Sequence, residues 1–190
     1  MTSTQSTIDG KRIVIGITGG IACYKVANLV STLVQSGAIV DVLMTDAATR
    51  FVAPLTFASL TGRPVFDDQW KHIDGYSPQH IQFASNADAM LIAPCTMNML
   101  GKLASGITDN SVTLVCAAIN REHTPVLVAP AMNATMLNQP ATQRNINTLH
   151  EDGYTILNSD DGWQACGAVG KGRMLEPEAL FCALTSLFIK

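Results

Sequence analysis

The segment Pro130-Ala131-Met132-Asn133-Ala134-Thr135-Met136 sets a neutral amide between thioethers, directly after the apolar run Val126-Leu127-Val128-Ala129. The run reads as a buried strand that Pro130 brings to an end. In open α/β sheets ligands bind outside the carboxyl ends of the strands. An Asn there hydrogen-bonds a ligand without adding charge, and Met packs adaptably against flat or irregular ones. Ala93-Pro94-Cys95-Thr96-Met97-Asn98 repeats the pattern after another strand, and Thr45 follows a third. Each Thr or Asn alone also reads as a helix N-cap. Together they suit a cofactor rich in carbonyl and N–H groups. Gly16-Ile17-Thr18-Gly19-Gly20 joins a first strand to a first helix, where free N–H groups and the helix dipole favour an anion. It is not the GxGxxG dinucleotide pattern, and a single phosphate, as in a mononucleotide, suits it better than a pyrophosphate. Gly167-Ala168-Val169-Gly170-Lys171-Gly172 lacks the spacing and the hydroxyl of a triphosphate loop.

Two further residues could move protons. Cys166 stands in Trp163-Gln164-Ala165-Cys166-Gly167, ahead of several glycines, in a loop too Gly-rich to be core. A thiol with a pKa of about 8.5 is mostly protonated at neutral pH and can donate its proton. His80 opens His80-Ile81-Gln82-Phe83 at the start of a strand or helix, which positions it for acid–base work. The other histidines, 72, 123 and 150, read as loop or helix-surface residues.

The elements that must hold these residues follow from periodicity. Strands are predicted at 12–17, 39–44, 89–93, 126–129 and 154–157, with a short one at 65–66. Helices are predicted at 21–35, 47–52, 54–60, 98–104, 111–120, 141–152 and 178–188. Residues 67–79 and 159–171 read as loops. The alternation gives an α/β fold: one three-layer, doubly wound parallel sheet of the Rossmann or flavodoxin kind. A polar tail of residues 1–10, expected to be disordered, would precede a single domain at 11–190.

With 190 residues, one substantial core is the simplest outcome. Apolar residues make up 47% and charged ones only 14%, which points to a sheet covered on both faces and to surface buried between subunits. A net charge of −3 without a basic run argues against a nucleic-acid partner. The five cysteines form no CxxC pair, so neither a zinc site nor a disulfide framework is expected, and a reducing cytoplasm fits. No signal peptide or membrane-spanning run is recognisable.

From about Lys11 to Pro177 and beyond, the chain resembles the flavin-containing cysteine decarboxylases. The resemblance is carried by Gly16-Ile17-Thr18-Gly19-Gly20-Ile21, His80-Ile81, the 130–136 segment, Ala165-Cys166-Gly167 and Gly172-Arg173-Met174. The Ala-Cys-Gly loop separates this branch from relatives acting on peptide C-terminal cysteines and from flavin prenyltransferases. Two positions depart from the family pattern: Leu137 stands where Trp is usual, and Gly20 where Ser is usual.

The resemblance implies FMN-dependent decarboxylation of 4′-phospho-N-pantothenoylcysteine to 4′-phosphopantetheine in coenzyme A biosynthesis. It implies that Thr18, Gly19, Gly20, Ile21, Thr45, Phe51, Cys95, Thr96, Met97 and Asn98 hold FMN. Asn133, Met136, Ala165 and Cys166 would bind substrate, and no metal is expected. His80, Asn133 and Cys166 would be catalytic: Asn133 on the departing carboxylate, Cys166 as proton donor, His80 as acid–base or orienting group. Relatives form trimers, some assembled into dodecamers, with FMN at the subunit interface. Two alternatives stay open: a peptidyl-cysteine decarboxylase, and a flavin-binding regulatory subunit that inhibits a phosphatase. Because the sequence ends at Lys190, no ligase activity joining cysteine to phosphopantothenate is expected.

Overall fold

The computed structural model describes residues 7–71, 78–163 and 169–189. β1 (Arg12–Ile17) leads into α1 (Cys23–Gln35) and then β2 (Ile39–Met44). The crossover from β2 carries α2 (Asp46–Thr49), α3 (Pro54–Thr61) and α4 (Gln79–Asn86) before β3 (Ala89–Cys95). After β3 come α5 (Met97–Ala104), α6 (Ser111–Ala118) and β4 (Val126–Pro130). α7 (Ala134–Leu137) and α8 (Pro140–Glu151) lead to β5 (Thr155–Ile156). β6 (Asp160–Trp163) and β7 (Val169–Arg173) form a hairpin ahead of α9 (Pro177–Ser186).

The main sheet has five strands in the order β2-β1-β3-β4-β5, all parallel. Both faces are covered, and strand residues alternate between two cores as the period of two requires. Ile13, Ile15 and Ile17 pack with α1 and α9 on one side. Val14, Met90, Ile92, Val126 and Val128 pack with α5 and α6 on the other. The chain leaves β1 toward β2 on one side and crosses to β3 on the other. The crevice between those departures is where such folds bind ligands.

Two expectations need correction. Residues 7–10 are not a tail: Ile8 is fully buried, and the Gly10 N–H donates to the Gly37 carbonyl at 3.0 Å. Gly37 must be glycine here, since its φ is +89° and a Cβ would fall 2.1 Å from Asp9 Oδ1. Within the stretch expected as a loop at 159–171, the described residues 160–163 and 169–171 belong to antiparallel strands, with Gly162 opposite Gly170. Strand formation there is imposed by tertiary contact rather than propensity. The Met132 N–H donates to Gly172 O at 2.9 Å, and a Cβ on Gly170 would lie 3.5 Å from Ala134 Cβ. Residues 79–86 form α4, so His80 sits in its first turn, at the helix start expected for it. Phe66 is a lone parallel bridge partner of Leu43, fully enclosed with the second core.

Candidate functional site

A cavity of about 1080 Å³ opens over the carboxyl ends of β1, β2, β3 and β4. That is slightly above the range usual for small-molecule sites, about 300–1,000 Å³. Its floor is the turn Thr18–Ala22, its walls are the starts of α2, α5 and α6, and the Met132–Asn133 loop and β7 close the far side.

The turn after β1 is built around two contacts. Gly19 lies against α2 so closely that a Cβ would fall 2.4 Å from Ala47 Cβ. The buried Thr18 hydroxyl donates to Pro94 O at 2.6 Å and accepts from the Thr96 N–H at 3.1 Å. It therefore straps the end of β1 to the end of β3. The N-cap of α1 is Ala22, which offers no side-chain cap, so the first-turn N–H groups of a thirteen-residue helix have no side-chain acceptor. Gly20 has open space, with the nearest atom, Thr96 Cγ2, at 3.6 Å from an added Cβ.

The other helices that open on the crevice are capped by side chains. Thr45 Oγ1 accepts from the Ala48 N–H at 3.3 Å, and Thr96 Oγ1 from the Met99 N–H at 3.2 Å. Asn110 Oδ1 accepts from Val112 and Thr113, both at 3.1 Å. Asn133 Oδ1 accepts from the Thr135 N–H at 2.7 Å. The cap turns the side-chain oxygen of Asn133 to its own backbone.

Of the residues expected around a cofactor, Thr18, Gly19, Gly20, Ile21, Thr45, Thr96, Met97 and Asn98 all line this one cavity. Asn133 and Met136 line it as well. Phe51 and Cys95 do not. Phe51 is half exposed beyond α2, and Cys95 is fully buried in the core beneath α5. Burial drives the Cys95 thiol well above its ordinary pKa, so it stays an apolar, protonated filler. His80 is not among the lining residues, although α4 begins on the edge of the sheet where the crevice lies. Ala165 and Cys166 lie outside the described residues.

Charged residues to which the sequence reading gave no role also line the cavity. Lys102 pairs with Asp109 at 2.6 Å, and its hydrogen bond holds that carboxyl below the usual carboxylate range. Lys25 and Arg173 both bond Glu176, Lys25 at 2.8 Å. Lys25 carried a signal in retrospect: it is the third residue of α1, five positions past the glycine pair. Ser111 gave none, since it reads as a helix start, and only the fold shows its hydroxyl donating to Met44 O at 2.7 Å.

Among the described residues no cluster of His, Cys, Asp and Glu could hold a metal, and no helix is long and apolar enough to cross a membrane.

Comparison with known proteins places this geometry. The chain is 44% identical over 171 residues to the coenzyme A biosynthesis bifunctional protein CoaBC of Bacillus subtilis, covering 90% of this chain and 41% of that protein. It thus spans less than half the length of the curated relatives it matches. A PPC decarboxylase variant solved with pantothenoylaminoethenethiol superposes with a TM-score of 0.86 at 29% identity, over 94% of this chain and 98% of the other. An FMN-dependent cysteine decarboxylase, SpaF, superposes with a TM-score of 0.81 at 26% identity, over 95% and 98% of the two chains. The family model described as Flavoprotein matches residues 1–188. A match over nearly every residue, on a fold whose crevice sits at the switch between β1 and β3, makes this chain a member of the flavoprotein family.

Proposed function

We propose that the chain decarboxylates 4′-phospho-N-pantothenoylcysteine to 4′-phosphopantetheine with FMN. The observation that carries this is the single crevice in which an uncapped helix N-terminus, neutral polar groups from four strand ends, and Asn133 meet. The residues present fit FMN: α1 opens on the crevice with no side-chain cap, and Gly19 and Gly20 let backbone approach a phosphate there. When bound, FMN supplies the two-electron acceptor and donor that loss of carbon dioxide from an acyl-cysteine needs.

The chain's own residues do the rest. Asn133 holds the substrate carboxylate. A neutral donor is suited to a charge that disappears in the reaction, because a strong cation would favour the ground state. Cys166 donates the proton that the enethiolate needs after carbon dioxide departs. His80 lies outside this crevice, so a role in the chemistry would come at the crevice of a second copy. Exposed apolar residues support such self-association, into trimers and from them dodecamers: Tyr24 and Trp70 at the cavity mouth are 61% and 84% exposed, and Leu55 is 74% exposed. A cytoplasmic location belongs to the same proposal.

The test begins with a visible spectrum, which should show bound flavin in the purified protein. Supplied with the phosphorylated substrate, it should release carbon dioxide, and Cys166→Ser should stop at the oxidised enethiol. A peptide ending in cysteine, assayed in parallel, separates the peptidyl alternative. Bound flavin without turnover of the phosphorylated substrate would overturn the proposal.

A further inference from the structure

Glu176 is not part of the cavity lining, yet it governs two residues that are. It is the N-cap residue of α9, and its side chain caps nothing there. One oxygen, Oε1, accepts from both Lys25 Nζ, at 2.8 Å, and Arg173 Nη2. The Lys25 side chain is only 10% exposed, so its ammonium has little water to fall back on. Arg173 is held by shape as well as charge: a Cβ on Gly162 would meet its Nη1 at 2.9 Å and displace it. Residue 172 in turn accepts the Met132 N–H at 2.9 Å, which sets Arg173 one residue from the strand that carries the Asn133 loop.

Two cations and one carboxylate leave a single net positive charge behind that wall of the crevice. We propose that Glu176 is a positioning residue that fixes Lys25 and Arg173 in place and halves the positive charge met by the substrate carboxylate beside Asn133. This rests on the function proposed above. A decarboxylase gains nothing from gripping the carboxylate it must discharge, since binding stronger in the ground state than in the transition state slows the step. Glu176 moderates that grip while keeping the cations ordered.

The experiment uses the FMN-loaded protein and two unreactive ligands. One is the serine analogue of the substrate, which keeps the carboxylate but offers no thiol to oxidise. The other is the matching ethanolamine analogue, which lacks the carboxylate. Glu176→Gln should bind the serine analogue about fivefold more tightly, as an unmasked unit charge some angstroms away would. Its affinity for the ethanolamine analogue should change less than twofold, and kcat with the true substrate should fall while KM falls too. The double variant Lys25→Met with Glu176→Gln should return the serine analogue to wild-type affinity, and Glu176→Asp should behave as wild type. Flavin absorbance and circular dichroism report whether each variant is folded.

Weaker binding of both analogues by Glu176→Gln, or an equal change in both, would overturn the proposal and leave the function intact. An unfolded Glu176→Gln beside a folded Glu176→Asp that weakens both analogues would overturn it as well. If neither analogue binds the wild-type protein, the functional assignment itself fails and takes this role with it.

Discussion

Thr18 lines the crevice, but its hydroxyl is already engaged on both sides, donating to Pro94 O and accepting from the Thr96 N–H. Thr18→Val keeps the shape and removes the oxygen. The carbonyl of Pro94 and the N–H of Thr96 then lose their partner at a site where Thr18 is only 2% exposed. An unsatisfied buried group costs about 1–3 kcal/mol. Some relaxation toward the crevice and its water brings the pair to about 2–4 kcal/mol. In a chain of this size that corresponds to a fall in Tm of roughly 4–16 °C. The assay is thermal and urea unfolding of the flavin-free protein at one fixed concentration, so that neither cofactor binding nor self-association shifts the comparison. Thr18→Ser should restore most of the loss. A Thr18→Val protein that melts like wild type but no longer binds FMN would refute the strap and make the hydroxyl a direct ligand.

Gly19→Ala should cost flavin binding at least tenfold and destabilise by about 1–3 kcal/mol, since its Cβ must displace the α2 backbone around Ala47; fluorescence titration of FMN checks it. Gly20→Ser should fold normally and bind FMN at least as well, because the nearest contact to its Cβ is 3.6 Å and the hydroxyl adds a donor beside the α1 N-terminus. Asp109 has its folded pKa depressed, first by the hydrogen bond from Lys102. The stability it adds is present above the ordinary carboxylate range and lost as pH falls through the depressed value. Lys102→Met should therefore differ from wild type at neutral pH and converge with it in acid, by a small margin because Asp109 is 53% exposed; urea midpoints measured across that range test it.

Much of the fold was legible because a two-sided parallel sheet writes itself as short apolar runs. β1 and β2 fall on the predicted residues, and β3 and β4 extend the predicted runs only by the residues that follow, Pro94-Cys95 and Pro130. The hairpin was illegible for the opposite reason. Asp160-Asp161-Gly162 and Val169-Gly170-Lys171-Gly172 carry no pattern of their own, and pairing comes from what they rest on. At the site, the convergence of Thr45, Thr96 and Asn133 was visible because helix caps and ligand groups share residue types and both gather at strand ends. That ambiguity also hid their work: the oxygen of each caps the helix that follows it. Lys25 and Lys102 escaped notice because an isolated cation in a sequence looks like a solvated surface residue until its partner is known, and Arg173 stood within a quoted motif without a role of its own.

The caps also decide what a ligand meets. With the side-chain oxygens of Thr45, Thr96, Asn110 and Asn133 turned to their own backbones, the crevice sets the α1 N-terminus, Lys25, Lys102 and Arg173 against the carboxylates of Asp46, Asp67, Asp68 and Asp109. The donor side of that lining, at the α1 N-terminus, favours anionic charge. FMN and riboflavin share the ring and differ by one phosphate, so the pair isolates that contribution. Two charge-assisted hydrogen bonds from backbone N–H groups, at about 1.5–3 kcal/mol each, stabilise FMN over riboflavin by at least about 3 kcal/mol. This is roughly a hundredfold in affinity. Fluorescence quenching on titration of the flavin-free protein with each ligand gives the ratio directly. Ala22→Pro places a fixed φ at the cap and removes one N–H from the cradle, so it should narrow the ratio while riboflavin binding holds. Equal affinity for the two flavins would mean that the α1 N-terminus does not take the phosphate, and the orientation of the cofactor in the crevice would have to be reversed.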